Sequence, residues 1–326
     1  MLNLKVKTFY LMLFYFIEYA KYTLLYQDFL MKNIIIITGG AGFVGSNLIK
    51  HFLKKTNLKI ISLDNYSSGT KKNHILSSRV KYLKGSTLNI QKILFPYKKK
   101  IHSLFHFGEF SRIYQSFKNF YECFDSNSIG SKEVFKFCLD NNIKLIYSAT
   151  SASLGNNGSD KNLSPYAFIK AKNLEMLENL KKWFKMKYEV IYFYNVYGEG
   201  QIEVGPMATV VGIFQYHYKK NKPLPIVKPG TQSRRFTHID DTIEICYKAW
   251  KDNKCKHYSI SNKTSYTIIQ LAKLFNSKTK FLAPRQGERY ASALTNISQS
   301  NKIHKYFGKT QLKEYVVNFL NNLKNP

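Results

Sequence analysis

The stretch NIIIITGGAGFVG, residues 33–45, constrains the fold of this chain more than any other. The apolar run 33–38 reads as a buried strand, and the glycines after it lead into a helix over 42–54. Gly39 permits the tight turn, Gly42 lets the backbone approach a pyrophosphate, and Gly45 lets helix and strand pack closely. The helix start offers free N–H groups and the positive end of its dipole to phosphates. Asp64 ends the next apolar run, KIISLD (59–64). A carboxylate there accepts from a ribose 2′-OH and repels a 2′-phosphate, so NAD is expected rather than NADP.

From this turn onward short apolar runs alternate with helical stretches. SLFHF (103–107), KLIYS (144–148) and EVIYFYN (189–195) read as strands, with amphipathic helices around 127–140 and 166–186. The alternation predicts an α/β chain, a Rossmann-type doubly wound parallel sheet. HIDDTIEICYKAW (238–250) reads as a helix, and HYSISN (257–262) as a strand that rejoins the sheet. The expected organisation is a dinucleotide-binding domain over 31–200, to which 236–262 returns. A smaller, mostly helical C-terminal lobe, 201–235 and 263–326, then binds substrate. Residues 1–30 form an extension. There Lys5 and Lys7 precede FYLMLFYFI (9–17), a run too short to span a bilayer and followed by no A-x-A-like cleavage site. Stable membrane insertion is not expected, and Met31 is a candidate native start.

The net charge of +30 raises the possibility of a nucleic-acid partner. Its distribution argues against one. The lysines are spread along the chain among many Asn, Ile, Tyr and Phe, as in a composition bias rather than a binding stripe. Arginine occurs only at 79, 112, 234, 235, 285 and 289. Where lysine is the default cation, arginine marks places that need planar, bidentate donors. The four cysteines, Cys123, Cys138, Cys246 and Cys255, are widely spaced and include no CxxC pair. They read as reduced thiols of a cytoplasmic protein without a metal site or disulfide framework.

A second motif, SPYAFIKAK (164–172), opens a helix with Ser164 as N-cap and Pro165 at the first position. Tyr166 and Lys170 then lie one turn apart on the same face. TGGAGFVG, Asp64, the Tyr166/Lys170 pair and FYNVYG (193–198) together resemble the extended short-chain dehydrogenase/reductases. The closest group is the NAD-dependent nucleotide-sugar epimerases and dehydratases of the UDP-glucose 4-epimerase type. The resemblance covers roughly residues 32 to 320.

The resemblance assigns roles at the matching positions. IYSATSASLG (146–155) carries the catalytic hydroxyl, Thr150 by its distance from Gly155, with Ser151 as an open neighbour. Tyr166 and Lys170 match the family's YxxxK pair. Gly39, Gly42, Phe43, Val44 and Gly45 in the turn would hold the cofactor. Asp64, Asn65, Ser86, Phe107 and Lys170 would complete its site. Asn195 would contact the nucleotide-sugar. Arg234 in RRFTHIDD (234–241) and Arg285 in PRQGE (284–288) would bind its diphosphate. No metal is implied, and a homodimer through paired helices is.

The implied chemistry is removal of the sugar O4 proton by Tyr166 as hydride leaves C4 for NAD+, giving a transient 4-keto sugar. A free tyrosine titrates near 10, so reaching 7 requires about 4 kcal/mol in favour of phenolate. An ammonium about 5 Å away contributes roughly 3 kcal/mol at an effective dielectric of 20. Lys170 with the nicotinamide cation is therefore expected to acidify Tyr166. A 4,6-dehydratase would also need an acid and a base near C6, supplied in the family by Asp-Glu after the threonine; here Ser151 and Ala152 follow. Dehydratase, reductase and a non-catalytic NAD sensor are the alternatives. The sequence departs from the family pattern in four places: Gly85-Ser86 replaces Gly-Asp, Glu109 stands where a small residue is common, Tyr192 stands where arginine is common, and the loop from Gly155 to Tyr166 is short. His106 reads as structural. Glu109 and Arg112 read equally as cleft residues or as a local surface pair.

Overall fold

Eight parallel strands carry the fold. The computed structural model describes residues 10–19, 32–154, 161–287 and 303–324. The strands are β1 (Ile34–Thr38), β2 (Lys59–Asp64), β3 (Val80–Lys84), β4 (Ile101–His106), β5 (Lys144–Thr150), β6 (Tyr188–Phe193), β7 (His257–Ser261) and β8 (Ile303–Phe307). They stand in the order β8-β7-β6-β5-β4-β1-β2-β3, with every neighbouring pair parallel. From β1 the chain runs outward to β2 and β3, then crosses back to β4 on the other side. That reversal opens a crevice at the carboxyl ends of β1 and β4.

The helices are α1 (Phe43–Lys55), α2 (Ser131–Asp140), α3 (Pro165–Phe184), α4 (Val210–Lys219), α5 (Ile239–Asp252), α6 (Ile268–Leu274) and α7 (Leu312–Lys324), with shorter turns between them. The isoleucine run of β1 serves both faces of the sheet. Ile34 and Ile36 join a core with Val134 and Phe135 of α2 and Leu177 of α3. Ile35 and Ile37 join another with Leu48 and Phe52 of α1 and Ile243 of α5. Period-two alternation in a strand buried on both sides requires this continuous apolar run. Ile35, Ile36 and Ile37 are fully buried, and each contributes about 2 kcal/mol.

A third core, with Val211 and Phe214 of α4, Leu271 of α6 and Leu312 and Val316 of α7, builds the smaller lobe. That lobe also holds two small ladders: Leu224–Val227 with Thr279–Leu282, and Ser233–Arg235 with Ser265–Thr267. Ile303–Phe307, expected within the lobe, instead extends the main sheet beside β7. β7 pairs with β6 in the main sheet, and α5 packs on it. Residues 10–19 are helical, with Leu11, Phe14 and Phe16 exposed; the rest of the 1–30 extension and Met31 lie outside the described residues. Among the described residues no helix is long and apolar enough to cross a membrane.

Candidate active site

The carboxyl ends of the strands open into a cavity of about 960 Å3 that runs from the glycine turn to the smaller lobe. Gly39 has φ +71°, a conformation glycine adopts freely. A Cβ there would stand 2.8 Å from the Gly108 nitrogen. A Cβ on Gly45 would stand 2.2 Å from the Gly39 oxygen, so close helix–strand contact requires glycine there too. No side chain caps the α1 N-terminus, and Gly42, Phe43 and Val44 line the cavity at that end. Its first amides therefore lack intrahelical acceptors. Asp64 closes β2; its Oδ2 accepts from the Ala41 N–H at 2.9 Å and its Oδ1 from the Tyr66 N–H at 2.8 Å. Asn65, Ser86 and Phe107 line the same part of the wall.

Helix α3 supplies the second half of the site. Ser164 Oγ accepts from the Ala167 N–H at 3.1 Å, and Pro165 occupies the first turn. The buried positions Tyr166, Ile169, Lys170, Asn173 and Leu177 then fall on one stripe. Thr150 at the end of β5 and Tyr166 both line the cavity, and the Thr150 hydroxyl favours the phenolate form of Tyr166. Ser151 also lines it, next to the Thr150–Tyr166 pair. The loop from Gly155 towards α3 lies partly outside the described residues.

Lys170 has buried partners that the sequence did not indicate. Its Nζ donates to the Ser148 carbonyl and to Glu109 Oε2, and sits 4.4 Å from the centre of the Tyr147 ring. Glu109 is therefore no partner of Arg112 on the surface; its side chain is 2% exposed. Its Oε1 accepts from Ser131 Oγ at 2.9 Å and Tyr147 OH at 3.1 Å. The loop that carries Glu109 is pinned by Asn127, whose Oδ1 accepts from the Phe110 N–H at 2.6 Å and whose Nδ2 donates to Phe110 O at 2.8 Å. Asn127 belongs to a π-helical turn over Asp125–Gly130. Burial pushes the Tyr166 phenol up to about 12; the Thr150 hydrogen bond and Arg112 act in the opposite direction, and Glu109 adds to the rise. Desolvation dominates, and the ammonium meant to offset it is paired with a carboxylate. Burial also lowers the Lys170 pKa, partly countered by Glu109.

The remaining expected residues reach the same cavity. Asn195, at φ +37°, donates to the Arg235 carbonyl at 2.8 Å and lines the wall. Arg234 and Arg285 line the side contributed by the smaller lobe, Arg285 5.3 Å from the centre of the Tyr114 ring. Arg112 lines the cavity and donates to the Met207 carbonyl. His106 is fully buried behind the wall: Nδ1 lies 2.8 Å from Thr38 Oγ1 and Nε2 3.0 Å from Ser131 Oγ. Burial holds its pKa down at about 4, so it is neutral and structural, as read from the sequence. With Ser131 donating to Glu109, His106 carries its proton on Nε2 and Thr38 donates to Nδ1. Sequence reasoning left Glu109 and Arg112 undecided and did not name Ser148. The acidic residue in HFGEFSR was the one available signal. Among the described residues no cluster of three or more metal-ligating side chains occurs.

Comparison with known proteins agrees with this geometry. A curated relative 29% identical over 263 residues, 74% of this chain and 79% of its own, is the ADP-L-glycero-D-manno-heptose-6-epimerase of Brachyspira hyodysenteriae. The UDP-N-acetylglucosamine 4-epimerase of Methanobrevibacter ruminantium, solved with UDP-N-acetylmuramic acid, superposes with a TM-score of 0.75 at 25% identity, covering 89% of this chain and 99% of its own. The fold is shared by the UDP-glucuronic acid 4-epimerase of Bacillus cereus, solved with UDP-glucuronic acid and NAD, at a TM-score of 0.75, 22% identity and coverage of 89% and 99%. The model of the NAD dependent epimerase/dehydratase family matches residues 35–262. Glycine turn, hydroxyl pair and sheet order thus meet in one conclusion: the chain belongs to the NAD dependent epimerase/dehydratase family.

Proposed function

We propose that this chain interconverts the C4 epimers of a nucleotide-diphosphate sugar. The observation that carries the reading is the meeting of Thr150, Tyr166 and Lys170 in the wall of the cavity that begins at the glycine turn. NAD is the family's cofactor, and the residues present fit it. Gly42 leaves the turn bare, since a Cβ there would meet only the Gly39 oxygen at 3.2 Å. The α1 N-terminus has no side-chain cap, and Asp64 is fixed at the strand end by two backbone donors. Phosphates suit the first feature and a ribose hydroxyl the second. When bound, NAD supplies reversible hydride acceptance at the sugar's C4.

The chain's own residues handle the rest. Tyr166 and Thr150 hold the sugar O4, and Tyr166 takes its proton and later returns it. Arg234 and Arg285 grip the diphosphate while the sugar turns, with Asn195 on the nucleotide-sugar. Ser151 and Ala152 after Thr150 supply no acid–base pair for loss of water at C6, and Glu109 is committed to Lys170. Both facts favour epimerisation over dehydration. Tyr121 and Phe124 beside Phe168 and Met176 of α3 are exposed apolar side chains on packed helices, which supports a homodimer through these helices. Free thiols at Cys123, Cys138, Cys246 and Cys255 support a reducing compartment, the cytoplasm.

Purified protein offered a panel of nucleotide-sugars tests the reading. C4 epimers should interconvert without net NADH. A 4-keto-6-deoxy product would make it a dehydratase, net NADH a dehydrogenase, and C6 inversion an enzyme like its Brachyspira relative. NAD retention with no turnover on any sugar would leave a binding sensor.

A further inference from the structure

We propose that the apolar helix of residues 10–19 embeds in one leaflet of an anionic lipid bilayer and holds the protein against that surface. Its sequence, YLMLFYFIEY, contains one charged residue, Glu18. A helix that is apolar all round belongs in a protein core or in hydrocarbon. Among the described residues, none of its side chains joins a core cluster of the fold. Leu11, Met12, Phe14, Tyr15 and Phe16 are between 62% and 70% exposed, and the least exposed apolar side chain of the helix, Leu13, is still 42% exposed. Apolar side chains scattered singly over a surface need no explanation, but a contiguous run of them marks an interaction site.

Three observations select a bilayer over a protein partner. The exposed side chains go round the helix, so a partner groove, which reads one stripe, would leave the others in water. Hydrocarbon can surround them all. Charge is the second observation. Lys5 and Lys7 precede the helix in sequence, Lys21 follows it, and the whole chain carries +30. That charge is complementary to anionic headgroups, which attract basic segments lying next to a membrane-seated helix. Third, Tyr10, Tyr15 and Tyr19 are of the residue type that settles at the headgroup level. Length sets the depth. At about 1.5 Å per residue the helix is roughly 15 Å long, half of the roughly 30 Å of bilayer hydrocarbon. It therefore enters one leaflet and does not span. This agrees with the cytoplasmic compartment proposed above, because the cytoplasmic leaflet is the negatively charged one.

Co-sedimentation of the purified full chain with lipid vesicles tests this. Vesicles of phosphatidylcholine mixed with phosphatidylglycerol should carry the wild type down. Vesicles of phosphatidylcholine alone should bind it on the order of tenfold more weakly, because they lack the charge that the lysines meet. Phe14→Asp with Phe16→Asp should weaken binding to the anionic vesicles by at least about 100-fold. Both side chains are exposed, so this variant should keep the wild-type Tm. Wild type that stays in solution with the anionic vesicles overturns the proposal, and that arm needs no variant to fold. Equal binding to the two kinds of vesicle overturns it as well. So does a doubly substituted protein that binds like the wild type, since the basic surface of the fold would then be the lipid contact. A lower Tm in that variant would mean that the helix packs on the fold. Lipid-free assemblies larger than a dimer, dispersed by the same substitutions, would give the helix to another copy of the chain. Either result overturns the proposal. No nucleotide-sugar is used, so the proposed reaction stands or falls separately.

Discussion

Removing one oxygen from Tyr166 separates proton transfer from packing, because the ring of Tyr166→Phe still fills its buried place beside Phe110 and Ala167. Turnover should fall by about 10³-fold, the range of one acid–base group, while NAD content, read by mass spectrometry of the released cofactor, stays at the wild-type level. His106 gives a second residue-scale test, in stability. Its pKa is about 4 in the fold and 6.5 unfolded. The unfolded chain therefore binds the extra proton first as pH falls, so stability is full above 6.5 and is lost on the way down to 4. The loss should be about 3 kcal/mol. Urea unfolding across that window should display this slope in the wild type and not in His106→Gln.

At the scale of the element, the turn into α1 separates folding from binding. A Cβ on Gly45 would strike the Gly39 oxygen and the Gly40 Cα, at 2.2 Å and 2.7 Å, both backbone atoms. Gly45→Ala should therefore cost about 1–3 kcal/mol, lower Tm by several degrees and weaken NAD binding. Gly42→Ala has only one neighbour, at 3.2 Å. Calorimetry should find its NAD binding weakened with Tm nearly unchanged. These elements were legible in the sequence because their signals are local: the isoleucine run of β1, the glycines after it, and the Ser164–Pro165 start of α3. The edge strands VKYLK and IHKYF were harder to read, since exposed lysines break their apolar runs. The π-helical turn over Asp125–Gly130 has no comparable signal. Its asparagine fixes the Glu109 loop, and Glu109 meets Lys170 from a distant part of the chain. Local periodicity cannot encode the pairing of Glu109 with Lys170.

At the scale of the whole molecule, the sheet reversal between β1 and β4 and the lobe carrying Arg234 and Arg285 enclose one cavity. The exposed apolar side chains on α3 and the helix Phe120–Phe124 should join two copies. Sedimentation should give a dimer for the wild type, and Phe168→Glu with Met176→Glu should shift it towards monomer. The reaction itself is tested most directly by a nucleotide-sugar deuterated at C4, incubated with the purified protein in ordinary water. Conversion to the C4 epimer with the deuterium retained, and no accumulation of reduced cofactor, is the result expected. Deuterium washed out into solvent, or a product altered at C6 instead of C4, would contradict proton and hydride transfer at that one carbinol.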